Sequence, residues 1–231
     1  KLVYFISIFS PVLPILFFLL YFKFNKQEKT KWVIFTLAVV SFIFDILSFN
    51  LSKKFISNIN LINLYLVIEV AFLYIFFLFL FATNKFAKII TKIGFALVIF
   101  VWLYNNVIKG NLLNKYDSIS LAVEFIIIFI LCLLYFVQIV TQIRDTTPAY
   151  NTAFFWLIAA LLLYCASTFF SFFILNSPAD RTSDTIAFEY ISRVASILKN
   201  VLISIAFMIN TNKNKNDITY KHQSIYNVEQ H

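Results

Sequence analysis

Seven long apolar runs, at residues 2–22, 32–51, 59–82, 89–108, 119–143, 152–175 and 186–210, constrain this chain more than any other feature. A helix rises about 1.5 Å per residue, so a run of about 20 residues crosses about 30 Å of hydrocarbon. Apart from isolated polar and charged residues the runs are continuously apolar, whereas barrel strands alternate over about ten residues, so helices are expected. Composition agrees: of 231 residues, 61% are hydrophobic and 13% charged. Average globular chains hold roughly 45–50% and about 25%, and a soluble fold could not hide the surplus. Disorder, collagen, a disulfide scaffold and a nucleic-acid-binding domain are excluded on the same grounds. The predicted fold class is all-α: a polytopic membrane bundle of seven transmembrane helices over residues 1–210, with a polar, disordered cytoplasmic tail over 211–231. No internal repeat is visible.

The first run is too long for a secretory signal core and lacks a small-x-small cleavage site before Lys23. Pro11 and Pro14 are expected to kink it. The only methionine is Met208, so Lys1 is not expected to be the translated start. Lys and Arg number eleven in the first, third and fifth loops and the tail, against six on the opposite face. The positive-inside rule then puts the N-terminus outside and the C-terminus in the cytoplasm. The net charge of +8 becomes mostly a collar near anionic lipid, and nucleic acid is not an expected partner.

Catalytic signatures are missing. Both histidines, His222 and His231, sit in the tail, and no span holds one for a metal site of the ceramidase or adiponectin-receptor type. Gly94 and Gly110 are the only glycines, too few for a phosphate cradle or nucleophile elbow. Cys132 and Cys165 fall inside spans, where free thiols pack as small apolar groups. The expectation is a protein that is not an enzyme, with no metal and no cofactor other than the retinal considered below.

Ionisable groups within spans are costly and turn toward the bundle interior, so each is a candidate for function. Asp45, Glu69, Glu124, Arg193 and Lys199 are the candidates, with Glu189 nearer a helix end. At about 1.5 Å per residue, Asp45, Glu124 and Arg193 lie roughly 9 Å below the outer end, Glu69 about 14 Å and Lys199 about 18 Å. Trp102, Tyr104 and Asn105 of the fourth span, Ser167, Thr168 and Ser171 of the sixth, Tyr164, and Asn200 share that polarity. The inner half is almost uniformly Phe, Leu and Ile. Glu189 and Arg193, spaced i and i+4, are placed to pair at the rim. The sequence therefore predicts a polar cavity in the outer half. Its ligand-binding residues are Asp45, Glu69, Trp102, Tyr104, Asn105, Glu124, Tyr164, Arg193, Lys199 and Asn200. Two plainer roles compete: polar glue between helices, worth about 0.6 kcal/mol per contact, and, for Asp45 and Glu124, snorkelling to the interface.

Four functions fit this pattern. The favoured one is a receptor or sensor that takes a small periplasmic ligand and signals through a separate membrane or cytoplasmic partner. A transporter or proton-coupled carrier using Glu69 and Lys199 is weakened by the lack of polar continuation in the inner half. An accessory subunit of a membrane complex would pair its charges across an interface. A retinal protein would use Lys199 as Schiff-base lysine and Glu69 as counterion. Against it, Ala195 stands four residues before Lys199 where ion-pumping rhodopsins carry Asp, and no Trp flanks Glu69.

Phe155-Trp156-Leu157, Leu162-Leu163-Tyr164, the stretch Val194 to Ile203, and Asn63-Leu64-Tyr65 with Glu69 resemble small seven-helix membrane proteins of bacteroidete bacteria. The likeness covers roughly the third, sixth and seventh spans, in motifs built largely of Leu, Ile, Phe and Tyr. It implies a fold and an inner-membrane location and carries over no activity. The chain departs from it at Ser192 and Arg193, where a polar uncharged residue or His is expected.

Overall fold

A computed structural model describes residues 2–54, 59–110, 117–142, 151–175 and 181–209, with side chains at all of these except 118, 142, 170–175 and 181–189. The elements are α1 (Leu2–Phe9), α2 (Val12–Leu20), α3 (Phe22–Asn25), α4 (Lys29–Lys53), α5 (Ile59–Leu80), α6 (Lys85–Leu103), α7 (Ser118–Gln142), α8 (Ala153–Leu175) and α9 (Arg181–Met208). A π-helical turn, Tyr104–Ile108, extends α6. The described residues contain no strand. The expected tail at 211–231 lies outside the described residues.

Six helices, counting α1 and α2 as one and α6 with its π turn, are long and apolar enough to cross a membrane. In α8 the apolar stretch with described side chains, Ala153–Phe169, is shorter. Only 17% to 39% of the residues in each spanning window are buried within the protein. Many of the others face outward: Ile43, Leu47, Ile93, Leu97 and Phe100 are examples. Water would not tolerate so much apolar surface, and hydrocarbon must cover it. This is a multi-pass membrane protein.

The chain folds as a ring in sequence order. Each of α4 to α9 packs on its neighbours, α2 packs on α4, and α9 returns to both α1 and α2, closing the bundle. The first run breaks where Pro11, with φ of −65°, starts α2. Proline cannot donate to the preceding turn, and Ser10 Oγ instead donates to Ser7 O at 2.8 Å. α6 and α7 come close together at Gly94, where an added Cβ would lie 2.5 Å from Cγ2 of Ile127. Small residues permit such contacts between membrane helices.

The two ends of the bundle differ. Where α2, α4 and α9 meet, Phe18 is wholly buried; its ring stacks on Phe35 at 4.2 Å and meets Trp32 at 4.9 Å and Phe207 at 5.1 Å. Phe76, Phe77 and Phe81 of the α5 end are fully buried as well. Within this aromatic end Lys31 is 0% exposed. Its Nζ donates to Asn25 Oδ1 at 3.0 Å and to the carbonyl of Ile209 at 2.9 Å. Sequence reading assigned Lys31 to a loop. The helix begins earlier than expected, and the ammonium meets the unpaired carbonyl and negative dipole end of α9.

Two outcomes follow. Gly94→Ala should lower stability by about 1–3 kcal/mol, the usual cost of overpacking, and the Ile127→Ala double variant should recover most of it in thermal melts. Lys31→Ala should lower the melting temperature by leaving buried acceptors unpaired, at about 1–3 kcal/mol. Lys29→Ala, at an exposed neighbour, should leave it unchanged.

Candidate functional site

The inward stripe of α4 locates the site. Lys31, Ile34, Leu37 and Ala38 are buried, but Ser41, Asp45 and Ser48, next on the same face at helical spacing, are only half-buried. Packing loosens along α4 away from the aromatic end. Opposite this loosened stretch, α5 turns Asn63, Leu66 and Glu69 inward and α7 turns Ser120, Glu124 and Ile128 inward, all buried.

The ionisable groups converge there. Asp45 lies in the field of Lys199, Glu69 and Arg193, and Glu69 in that of Lys199. Glu124 lies in the field of Glu69 and Lys199. Lys199 Nζ sits 3.9 Å from the centre of the Tyr164 ring, a cation–π contact from α9 to α8. Tyr164 meets Phe125 edge-on at 5.9 Å. Tyr65 hydrogen-bonds Ser41 and lies in the field of Glu69, Asp45 and Glu124. Glu124 does not snorkel: it is 1% exposed, and both its carboxyl oxygens are buried without a hydrogen-bond partner. Among the described residues, no three His, Cys, Asp or Glu side chains are close enough to hold a metal ion. Cys132 and Cys165 are free and buried.

Other polar residues close the seam between α9 and the kinked first helix. Arg193 Nη1 donates to Ser7 Oγ at 3.0 Å, with its guanidinium 3.9 Å from the Tyr4 ring centre. One turn pair further on, Asn200 Nδ2 donates to Ser10 Oγ at 2.7 Å. The expected partner of Arg193, Glu189, has its side chain outside the described residues, as does Ser171.

A third network caps α7. Asp117 is 5% exposed and accepts from Ser120 N at 3.1 Å, Ser120 Oγ at 2.6 Å and Asn105 Nδ2 at 3.1 Å. Asn106 Nδ2 donates to its second oxygen. Asp117 N donates to Asn63 Oδ1 at 3.2 Å, and Trp102 Nε1 to Asn63 O at 3.3 Å. The wider π turn lets consecutive asparagines reach one carboxylate. Tyr104, on the same turn, points out and carries Lys109 Nζ 4.9 Å from its ring centre.

The ten predicted residues thus divide by place. Asp45, Glu69, Glu124, Tyr164 and Lys199 share one cluster, with Arg193 at its edge. Asn200 serves the α1–α9 seam, Trp102 and Asn105 serve the Asp117 network, and Tyr104 stands apart. Sequence reasoning missed Asp117, Asn63, Asn106 and Ser120. The signal was an Asp followed three residues later by Ser at the head of an apolar run, an N-cap pattern. A groove of about 220 Å³ between α7 and α8, lined by Phe125, Ile126, Phe129, Cys165, Ala166 and Phe169, is wholly apolar. Compared with protein-family models, curated proteins and solved structures, the chain matches none.

Asp117→Ala removes a helix cap and orphans several buried donors, so it should cost about 3 kcal/mol in melts, while Tyr104→Ala should be nearly neutral. Lys199→Met leaves Glu69 without its compensating charge and should cost about 3–5 kcal/mol, as breaking a buried pair does. An unchanged melting temperature in that variant would count against the cluster.

Proposed function

We propose that this chain is a seven-span receptor or sensor module of a bacterial inner membrane, with the N-terminus outside and the C-terminus in the cytoplasm. In this reading α8 is the sixth span: its 23 residues cover about 35 Å. The polar end then faces the periplasm and the aromatic end the cytoplasm, in keeping with the eleven-to-six division of basic residues. A small ligand entering from the periplasm meets Asp45 first, with Glu69, Glu124 and Lys199 deeper. The output passes through cytoplasmic loops or the tail to a separate protein, and the chain itself does no chemistry.

The observation that carries this reading is the loosened α4 stripe beside converging charges. Polar glue alone would pack tightly around each contact. A proton-coupled carrier is the second reading, favoured by the burial of Glu69 and Glu124 within the spans. It needs an opening on both sides, and Phe18, Phe76, Phe77, Phe81 and Phe207, all 0% exposed, supply a floor instead.

Single-cysteine substitutions along α4 test the reading in intact spheroplasts, using a membrane-impermeant thiol reagent. Ser48→Cys and Asp45→Cys should label readily, Ser41→Cys slowly and Leu37→Cys not at all, with Cys132 and Cys165 protected. Protection of positions 45 and 48 from outside, or labelling only in inside-out vesicles, would sink the outward chamber.

A further inference from the structure

Three carboxylates, Asp45, Glu69 and Glu124, face two cations, Lys199 and Arg193. Formally the group is one positive charge short. Both cations are already engaged, Lys199 on the face of Tyr164 at 3.9 Å and Arg193 on Ser7 and Tyr4. Glu124 is the acute case, because both its oxygens are buried acceptors with no donor. A buried carboxylate without donors forfeits a large desolvation energy, which a proton on the carboxyl avoids and a group bringing N–H donors or positive charge recovers. A bare metal ion does not fit, since no three such ligands among the described residues come within reach of one ion. The acceptors belong to three helices, α4, α5 and α7, and Phe125, next to Glu124 in sequence, meets Tyr164 edge-on.

We infer that the chamber binds a small organic ammonium ion, a primary amine whose N–H groups donate to Glu124, with Glu69 and Asp45 supplying further negative charge. This rests on the ligand-binding reading above and names its ligand class. A primary ammonium has three donors on one centre, enough for the orphaned carboxylate and a neighbour. Its organic part lies against the ring of Phe125, the face of Tyr164 being taken by Lys199. Anions are rejected by the three carboxylates, and a neutral alcohol of the same shape brings one donor and no charge.

The test uses the full chain in nanodiscs, with phenethylamine and putrescine as probes, phenethyl alcohol as the neutral isostere and propionate as the anion. The expected result is a melting temperature raised by several degrees by at least one amine, saturably, with no comparable effect of the alcohol or propionate. Binding to the folded state alone raises stability in this way. Glu124→Gln should abolish the amine effect. Equal responses to amine and alcohol, no response to either amine, or an undiminished amine effect in Glu124→Gln would each overturn the inference. Should Glu124→Gln not fold, the amine-against-alcohol comparison on the unaltered chain decides alone. Cysteine labelling at positions 45 and 48 separates the two levels: accessible positions with indifferent amines leave the chamber standing and remove only the ligand class.

Discussion

Hydrocarbon offers no partner to a polar group, so every ionisable side chain within these spans must be answered by another part of the protein. That rule organises the bundle. Lys31 is met by Asn25 and the end of α9, Asp117 by Ser120 and two asparagines, and Arg193 by Ser7 and the ring of Tyr4. The Lys31–Ile209 and Arg193–Ser7 contacts join segments 178 and 186 residues apart in sequence. Polar contacts therefore fix which helices are neighbours, while Phe and Leu fill what lies between. Glu124 alone, among the inward carboxyls described, has both oxygens buried with no hydrogen-bond donor.

α9 illustrates how one helix serves two tasks. Arg193, Asn200 and Ser204, at i, i+7 and i+11, fall on one face, and the first two bind the two serines that precede the Pro11 break. Lys199 is six residues from Arg193, about 240° around the helix at 3.6 residues per turn, and so meets Tyr164 of α8 instead. The same helix thus seals the first span to the ring and presents a cation to the carboxylates of α4, α5 and α7.

Much of the fold was legible in the sequence, because hydropathy reports length and depth. Six spanning helices emerged close to the expected bounds, and the grouping of Asp45, Glu69, Glu124 and Lys199 in one half of the bundle, at depths from about 9 to 18 Å, followed from counting residues along each run. Hydropathy does not report the face a residue turns to, nor which helices adjoin. Hence Asn200 was grouped with Lys199 although it turns to the first span, and Trp102 and Asn105 were grouped with charges they do not join. Lys31 was hidden for another reason: a lysine near a run's end reads as solvated, and only the arrival of α9, 178 residues away, makes it an interior group. The π turn had no sequence signal beyond two adjacent asparagines.

The tie between Lys31 and Ile209 also governs how α9 is able to move. With the carbonyl of Ile209, just past its last turn, fastened to the start of α4, any swing of that helix would pivot at the aromatic end. Arg193 lies 16 residues from Ile209, about 24 Å along the axis, so a 10° swing about the hinge displaces it by about 4 Å and displaces the residues beside the hinge hardly at all. Motion at the far end would reach the hinge as torque on α4, with almost no translation.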